Sequence, residues 1–576
     1  MMKTNIKKHF MLLVAAFSLT TMQSCLDFDP VEQLGGASMW TNTADYEQFA
    51  NGFYGWTRNF STTLDGVHND QRSDLIAGAS YNDFSKGTNS IPTSDKNYTE
   101  NYDKIRRTNM LLQNAASYSR PGDIAQYVGE AYFFRAYCYF DLLQIFGDAI
   151  ITKEPLDVTS PELWMAQNDR SEVADLIIED LKQAIEHLPS FSGYGRISKE
   201  GAQAFLSRAA LYEGTWQKFR GNTERGKALL DIAAKAAKEV IDSKQFILFG
   251  TAGASAELGE KAQRYMFILE DVKSNPLGLK KAENKEYIFA RCYDEILAPN
   301  GVNITKGLLN NASVWWVTRK FANLYLCDNG LPIEYNGTTN SRFQGYAKKV
   351  SEFENRDKRM NNTLLKPGTR YWANGVGDSR VAWDDTDLQY AYTFNPTTGT
   401  CYANQKFCTE RFVADTKEGY DYPVIRYAEV LLNYAEAVYE RDDKISNEDL
   451  NISLNLVRCR INPAMPKLSN ELVTDNGLSM QTEIRRERTI ELFLEGFRVD
   501  DLKRWKTAEK EMPQDLLGIK WTDSEYQGIN FSYQKNAEGC IIVDGGRKWT
   551  EKHYLYPLPS DQLQLNKNLK QNPGWE

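Results

Sequence analysis

Apolar residues recur at three- and four-residue steps through much of the first half of this chain, the spacing of a buried helix face. Over Gly129–Phe146, the residues Tyr132, Ala136, Phe140 and Leu143 fall on one face. Asn101–Tyr118 is a second such helix, closed by Arg120-Pro121-Gly122; Glu172–Leu188, Lys199–Trp216 and Lys227–Ile241 follow. Small residues (Ala202, Ala209, Ala210, Ala233, Ala237) recur where neighbouring helices must approach closely. The pattern predicts a mainly α fold, an α–α superhelix of tetratricopeptide-like hairpins with few short strands and no strict repeat of about 34 residues.

From about Phe246 to Tyr422 the texture changes to Gly, Asn, Thr and aromatic residues, with short helices and irregular loops. Helices return over Tyr427–Arg441, Asn447–Arg460 and Leu478–Trp505. Loops this long in a compact protein are usually functional. The recognition surface is therefore expected on the middle section and on the Phe60–Lys96 loop.

The first 24 residues read as an export leader: Lys3, Lys7 and Lys8, then the apolar run Phe10–Leu19, then Ser24 before Cys25. That run is too short to cross a bilayer, which takes roughly 20 residues. A cysteine at the cleavage point predicts a lipoprotein acylated on Cys25, and two or more acyl chains suffice for stable anchoring. Loss of the leader lysines takes the formal charge from −9 to about −12. Such an acidic surface argues against binding nucleic acid or anionic lipid by charge.

Aromatic residues are abundant: 12 Trp, 31 Tyr and 27 Phe. In an exported chain with Asn- and Gly-rich loops they point to sugar, whose C–H faces stack on rings and whose hydroxyls bond amides and carboxylates. Seven cysteines remain after Cys25, an odd number that rules out a complete disulfide framework. Cys138 and Cys459 fall in helical patterns as small buried residues, and Cys401 and Cys408 share a loop-rich segment as a candidate pair, with pairing left open by the spacing.

Catalytic constellations are not visible. The four histidines, His9, His68, His187 and His553, show no metal-site spacing, and there is no Gly-x-Ser-x-Gly and no Cys-x-x-Cys. Gly221 to Lys227 comes close to a phosphate-binding loop, but Ala228 stands where the magnesium-binding hydroxyl is needed, so it reads as a helix–helix turn. Glu487, Glu491 and Glu495 stand at four-residue steps on one predicted helix, near Arg488 and Arg498. A glycosidase needs two carboxylates flanking a cleft. Three on one helix beside arginines read instead as a structural ion-pair network, which Arg426, Glu429 and Glu436 join. The chemistry is that of binding, with no cofactor or metal and no turnover.

Ligand candidates are loop residues: Asp70, Arg72, Asp74, Tyr81, Asn82 and Asp83 in the first loop, and Trp315, Trp316, Tyr371, Trp372 and Trp383 in the middle section. Trp315 and Trp316 are adjacent and face opposite sides of an element, so at most one is expected to be buried.

Three stretches carry a family resemblance. The first runs Tyr422-Pro-Val-Ile-Arg426-Tyr-Ala-Glu429-Val-Leu-Leu-Asn433-Tyr-Ala-Glu436. The second runs Ile484-Arg-Arg-Glu487-Arg488-Thr-Ile-Glu491-Leu-Phe-Leu-Glu495-Gly496-Phe-Arg498, continuing to Trp505. The third is Tyr554-Leu-Tyr-Pro557-Leu-Pro559, ending Asn-Pro-Gly-Trp575. With Arg356-Asp357-Lys358-Arg359, Asp328-Asn329-Gly330-Leu331-Pro332 and Tyr102 to Asn109, the chain resembles the SusD/RagB family of outer-membrane nutrient-uptake lipoproteins. The resemblance implies a tetratricopeptide-like scaffold with a loop-rich ligand face. It divides the chain into a leader (1–24), an N-terminal helical region (25–245) and a C-terminal SusD/RagB region (246–576). It also implies a lipid-anchored protein facing the cell exterior, which captures a glycan and covers a SusC-like TonB-dependent outer-membrane transporter as a lid. Peptide capture of the RagB type, or a lid with little affinity of its own, are the competing readings.

Overall fold

The computed structural model describes residues 39–60, 68–308, 315–371, 392–393, 399–411 and 413–576. The leader and Cys25 lie outside the described residues. Helices dominate, and no described helix is long and apolar enough to cross a membrane.

A row of helices forms the scaffold: α1 (Thr43–Asn51), α2 (Lys96–Ala115), α3 (Ala125–Ile145), α4 (Arg170–His187), α5 (Lys199–Lys218) and α6 (Thr223–Ser243). From α2 to α6 each packs on the next, and α7 (Tyr427–Asp442) closes the row against α5 and α6. The N-termini of α1, α2, α4 and α5 are fixed by side-chain caps, which satisfy otherwise orphan N–H groups. Asp95 accepts from the Asn97 amide at 2.8 Å, Asp169 and Glu172 form a reciprocal box, and Ser198 accepts from the Gly201 amide.

The expected face of α3 exists, but that helix is buried on nearly every side. Phe133, Phe134 and Tyr137 are covered as fully as Ala136 and Phe140. Charged side chains inside the scaffold are therefore paired. Arg135 clamps Asp180 with two bonds of 2.7 and 2.8 Å, and Glu130 is held by Arg196. All five predicted crossing alanines are buried, but the tightest approach of α5 to α6 is at Gly214 and Gly226. A β-carbon on Gly214 would sit 2.9 Å from Leu230, and one on Gly226 3.0 Å from the Gly214 carbonyl. The near-miss phosphate loop is the turn leading into this crossing.

The candidate pairing of Cys401 with Cys408 is not formed: every described cysteine is a free thiol. Cys138 and Cys408 are buried, with burial pushing both thiols up, whereas Cys459 is only partly covered.

Two long predicted helices are broken. Asn447–Arg460 divides into Asn447–Asn451 and Leu454–Arg458. Leu478–Trp505 divides into α8 (Met480–Glu491) and α9 (Arg498–Arg504), with Leu494 and Gly496 at positive φ between them. A β-carbon on Gly496 would strike the His68 carbonyl at 2.3 Å, so the turn needs glycine for space as well as conformation. Glu495 therefore stands on this turn and not on the helix that carries Glu487 and Glu491.

The strands are short and pair in twos. β1 (Ile76–Gly78) pairs with β3 (Trp315–Val317), β2 (Tyr287–Arg291) with β4 (Tyr422–Arg426), and β5 (Leu516–Lys520) with β6 (Cys540–Asp544), all antiparallel. One hydrophobic core runs from α1 through the helical row to β4, α7, α8 and Tyr554.

Candidate functional site

The charged family motifs lie in the interior. Arg426, at the end of β4, reaches Glu495 through Nε and Nη2, and Glu286 and Glu491 through Nη1 at 2.8 Å. Arg460 bonds the same two carboxylates, and Glu487 is shared by Arg359 and Arg458. Burial alone would raise the Glu491 carboxyl, but Arg460, Arg426 and Arg359 outweigh it and hold it at about 2. A parallel set ties α7 to α5 and α9. Glu429 takes a two-pronged grip from Arg208, and Glu436 one from Arg504. Arg488 spans Asp501 and Asn433. Each of these groups is buried and engaged within the protein, and Arg460 also lines a cavity of about 490 Å³ beside Asn455 and Cys459.

Of the first-loop candidates, Asp70, Arg72 and Asp74 lie beneath the surface. Asp74 receives both arms of Arg498 at 2.8 Å and Lys320 at 2.6 Å; these cations overcome its burial and hold its carboxyl far below the usual carboxylate range. Asp70 accepts the Arg498 backbone N–H at 2.9 Å. The Arg72 guanidinium stacks 4.1 Å from the Phe84 ring centre and 5.0 Å from that of Tyr556. These three fasten the loop to α9 and the C-terminal segment, because burial leaves charged groups no choice but to pair.

Tyr81 is placed differently, while Asn82 beside it is buried like the other three. The chain leaves β1 at Gly78 and crosses the surface to a short helix, Asp83–Lys86, whose start is capped by Asn82 Oδ1 accepting the Ser85 amide at 3.0 Å. Tyr81 is 61% exposed, and the Lys86 ammonium sits 4.7 Å from its ring centre while bonding Asp544 Oδ1 at 2.8 Å. Beside the ring is a polar cavity of about 280 Å³, lined by Gln71, Ser80, Tyr81, Asn82, Lys86 and Asp544 among others. Asp83 is not among its lining residues, and its carboxylate accepts the Thr88 hydroxyl at 2.8 Å.

The β1–β3 ribbon brings the middle section against Gly78, which lines this cavity, although neither Trp315 nor Trp316 lines it. Gly78 pairs with Trp315 and Ala77 with Trp316. The strand alternation turns Trp315 inward, at 3% exposed, and leaves Trp316 partly open. The Trp316 indole lies across Gly399, where a β-carbon would come within 2.1 Å of the ring. Tyr371 is buried, and Trp372 and Trp383 lie outside the described residues. Lys86, Asp544 and Gln71 carried no sequence signal for this site: Asp544 comes from β6, on the far side of the chain.

The arrangement offers an open aromatic ring, a hydroxyl, amides, an ammonium and a carboxylate at one mouth. It is suited to hydrogen-bonding a polyhydroxylated ligand while stacking one of its faces. Among the described residues no group of three or more His, Cys, Asp or Glu side chains is disposed to hold a metal ion.

Comparison with known proteins agrees with this architecture. A 216-residue stretch is 24% identical to SusD-like protein P38 of Formosa agariphila, covering 36% of this chain and 42% of that relative. A SusD-like protein of Bacteroides ovatus is 22% identical over 491 residues, covering 82% of this chain and 78% of its own length. Among solved structures, a SusD-like protein from Bacteroides fragilis superposes with a TM-score of 0.71 at 20% identity, over 95% of this chain and 99% of that one. A chain crystallised with xylogluco-oligosaccharide superposes with a TM-score of 0.63 at 17% identity, over 91% and 97%. A family model described as "Starch-binding associating with outer membrane" matches residues 38–211. The SusD family model itself matches residues 281–575, a span holding the ion-paired core of β4, α7, α8 and α9 and the closing Trp575. The chain belongs to the SusD family.

Proposed function

We propose that this protein captures oligosaccharide at the cell surface, on the face formed by Tyr81, Trp316 and the cavity bordered by Lys86 and Asp544. The captured glycan passes to a partner TonB-dependent outer-membrane transporter. The observation that carries the reading is Tyr81, a largely exposed aromatic ring held beside a polar cavity by Lys86 and Asp544. A solitary exposed tyrosine would be unremarked. One fixed by a cation and opening onto amide, hydroxyl and carboxylate groups is a stacking platform. Family membership and a similarly folded chain crystallised with xylogluco-oligosaccharide support sugar as the ligand class. An acyl anchor on Cys25 would keep the protein at the membrane. Affinity electrophoresis through gels containing xyloglucan, starch, xylan or mannan tests the reading. Retardation by at least one polysaccharide is expected, and unretarded migration through all of them would refute glycan capture.

A further inference from the structure

A second concavity, sharing no lining residue with the Tyr81 cavity, lies between the N-terminal half of α2, the loop following Ile150 and the C-terminal segment. It measures about 650 Å³. Its sides carry large apolar groups held out into solvent: Val158 is 90% exposed, Leu565 64% and Trp164 49%, with Leu163 beside them. Ile150, Leu156 and Leu569 add to the apolar lining, and Tyr98 and Tyr102 of α2 line it too.

This apolar wall is built. Asn566 Nδ2 donates to the carbonyls of Leu163 and Met165 at 3.2 and 2.9 Å, and Asn568 Nδ2 to that of Trp164 at 2.6 Å. Gln167 and Lys570 exchange two further bonds. The C-terminal segment thus pins the backbone of residues 163–167 and keeps Leu163 and Trp164 at the mouth instead of letting them fold inward. A rigid, exposed apolar cluster has already met the ordering cost of binding, which is where interface hot spots draw their strength.

The charge around it is one-sided. Asp103, Glu154, Asp157 and Glu162 line the groove, and none is in an ion pair among the described residues. The lining cation, Arg106, donates its Nε to the Leu156 carbonyl at 2.9 Å. An acidic rim around an apolar floor repels acidic partners and attracts basic ones. Six aliphatic side chains outnumber the aromatic Tyr98, Tyr102 and Trp164, and Tyr98 is buried, so the lining suits the apolar side chains of a polypeptide better than the flat faces of a sugar chain.

We infer that this groove binds a polypeptide segment that inserts apolar side chains between Trp164 and Leu565 and flanks them with lysine or arginine. The site is separate from the proposed glycan face and stands or falls without it.

Hydrogen exchange on the full mature protein tests it, with two short synthetic peptides sharing Leu and Trp anchors, one flanked by lysines and the other by glutamates. The lysine peptide is expected to protect residues 156–165 and 562–569 and to bind about tenfold more tightly than the glutamate peptide. Trp164→Ala should weaken it about tenfold with an unchanged melting temperature. The double change Asp103→Asn and Glu162→Gln should shrink the charge preference while leaving the fold intact. Equal binding of the two peptides, or no protection by either, would overturn the inference. Protection of the same segments by xylogluco-oligosaccharide would reassign the groove to sugar. Self-association in sedimentation that Trp164→Ala abolishes would reassign it to a second copy of the chain.

Discussion

The Arg426 guanidinium lies edge to edge with the Glu495 carboxylate, Nε to Oε2 and Nη2 to Oε1 both at 2.7 Å. The pair joins the end of β4 to the turn between α8 and α9. Lys406 shares Glu495 and Glu491 shares Arg426, so the junction is a network of alternating charge without access to water. Interiors tolerate such charge only when every member is met, and removing one member is far more costly than the net worth of the pair.

Glu491→Ala should therefore destabilise the protein by about 3–5 kcal/mol, since Arg426 and Arg460 would each lose a buried counter-charge. Urea unfolding measures this beside glycan affinity, and the folded fraction should bind as the parent does. Full stability with lost binding would make the motif a ligand contact.

The pH profile should carry two opposed limbs. Burial raises Asp70 to about 6, even with the Arg498 and Leu494 amides donating to it. The folded state thus holds a proton that the unfolded chain, near pKa 3.9, has released. That group's penalty is absent below about pH 4 and complete above about pH 6. Glu491 and Glu436 behave oppositely: burial raises each, but their arginines hold both at about 2. Their contribution is complete above about pH 4.5 and is lost as pH falls towards 2. Asp70→Asn keeps the acceptor for the Arg498 amide and removes the penalty, so it should unfold at higher urea than the parent at pH 8 and match it near about pH 4. Equal midpoints at both values would show that Asp70 titrates normally.

The scaffold was legible in the sequence because its helices repeat apolar residues at the helical step, and α4, α5 and α7 end within a few residues of the expected positions. The break between α8 and α9 was hidden, although Gly496 marks it: an amphipathic pattern continues across the turn, and only the approach of the His68 carbonyl shows why the helix must stop. The family motifs identified the chain by its internal struts, which say nothing of the ligand. At the candidate site, alternation along β3 correctly separated Trp315 from Trp316. Asp70 and Asp74 looked like ligand groups because their partners, Arg498 and Lys320, lie hundreds of residues away. Lys86 and Asp544 meet for the same reason, through tertiary pairing that no local pattern encodes.

Cys25→Ala should release the protein from the membrane fraction, because no described helix could anchor it. Fractionation with antibody detection reads this directly. Retention of the variant with outer membrane would refute the acyl anchor.

The central claim is that glycan is held on the Tyr81 and Trp316 face, and titration calorimetry with the oligosaccharide of whichever polysaccharide retards the protein tests it most directly. Tyr81→Ala should cost about 2 kcal/mol, roughly a thirtyfold loss of affinity, with an unchanged melting temperature. Trp316→Ala should weaken binding in the same direction. Trp315→Ala, which empties a buried site, should instead lower stability by about 3–5 kcal/mol and leave the affinity of the folded protein intact. Parental affinity in both Tyr81→Ala and Trp316→Ala would contradict the account.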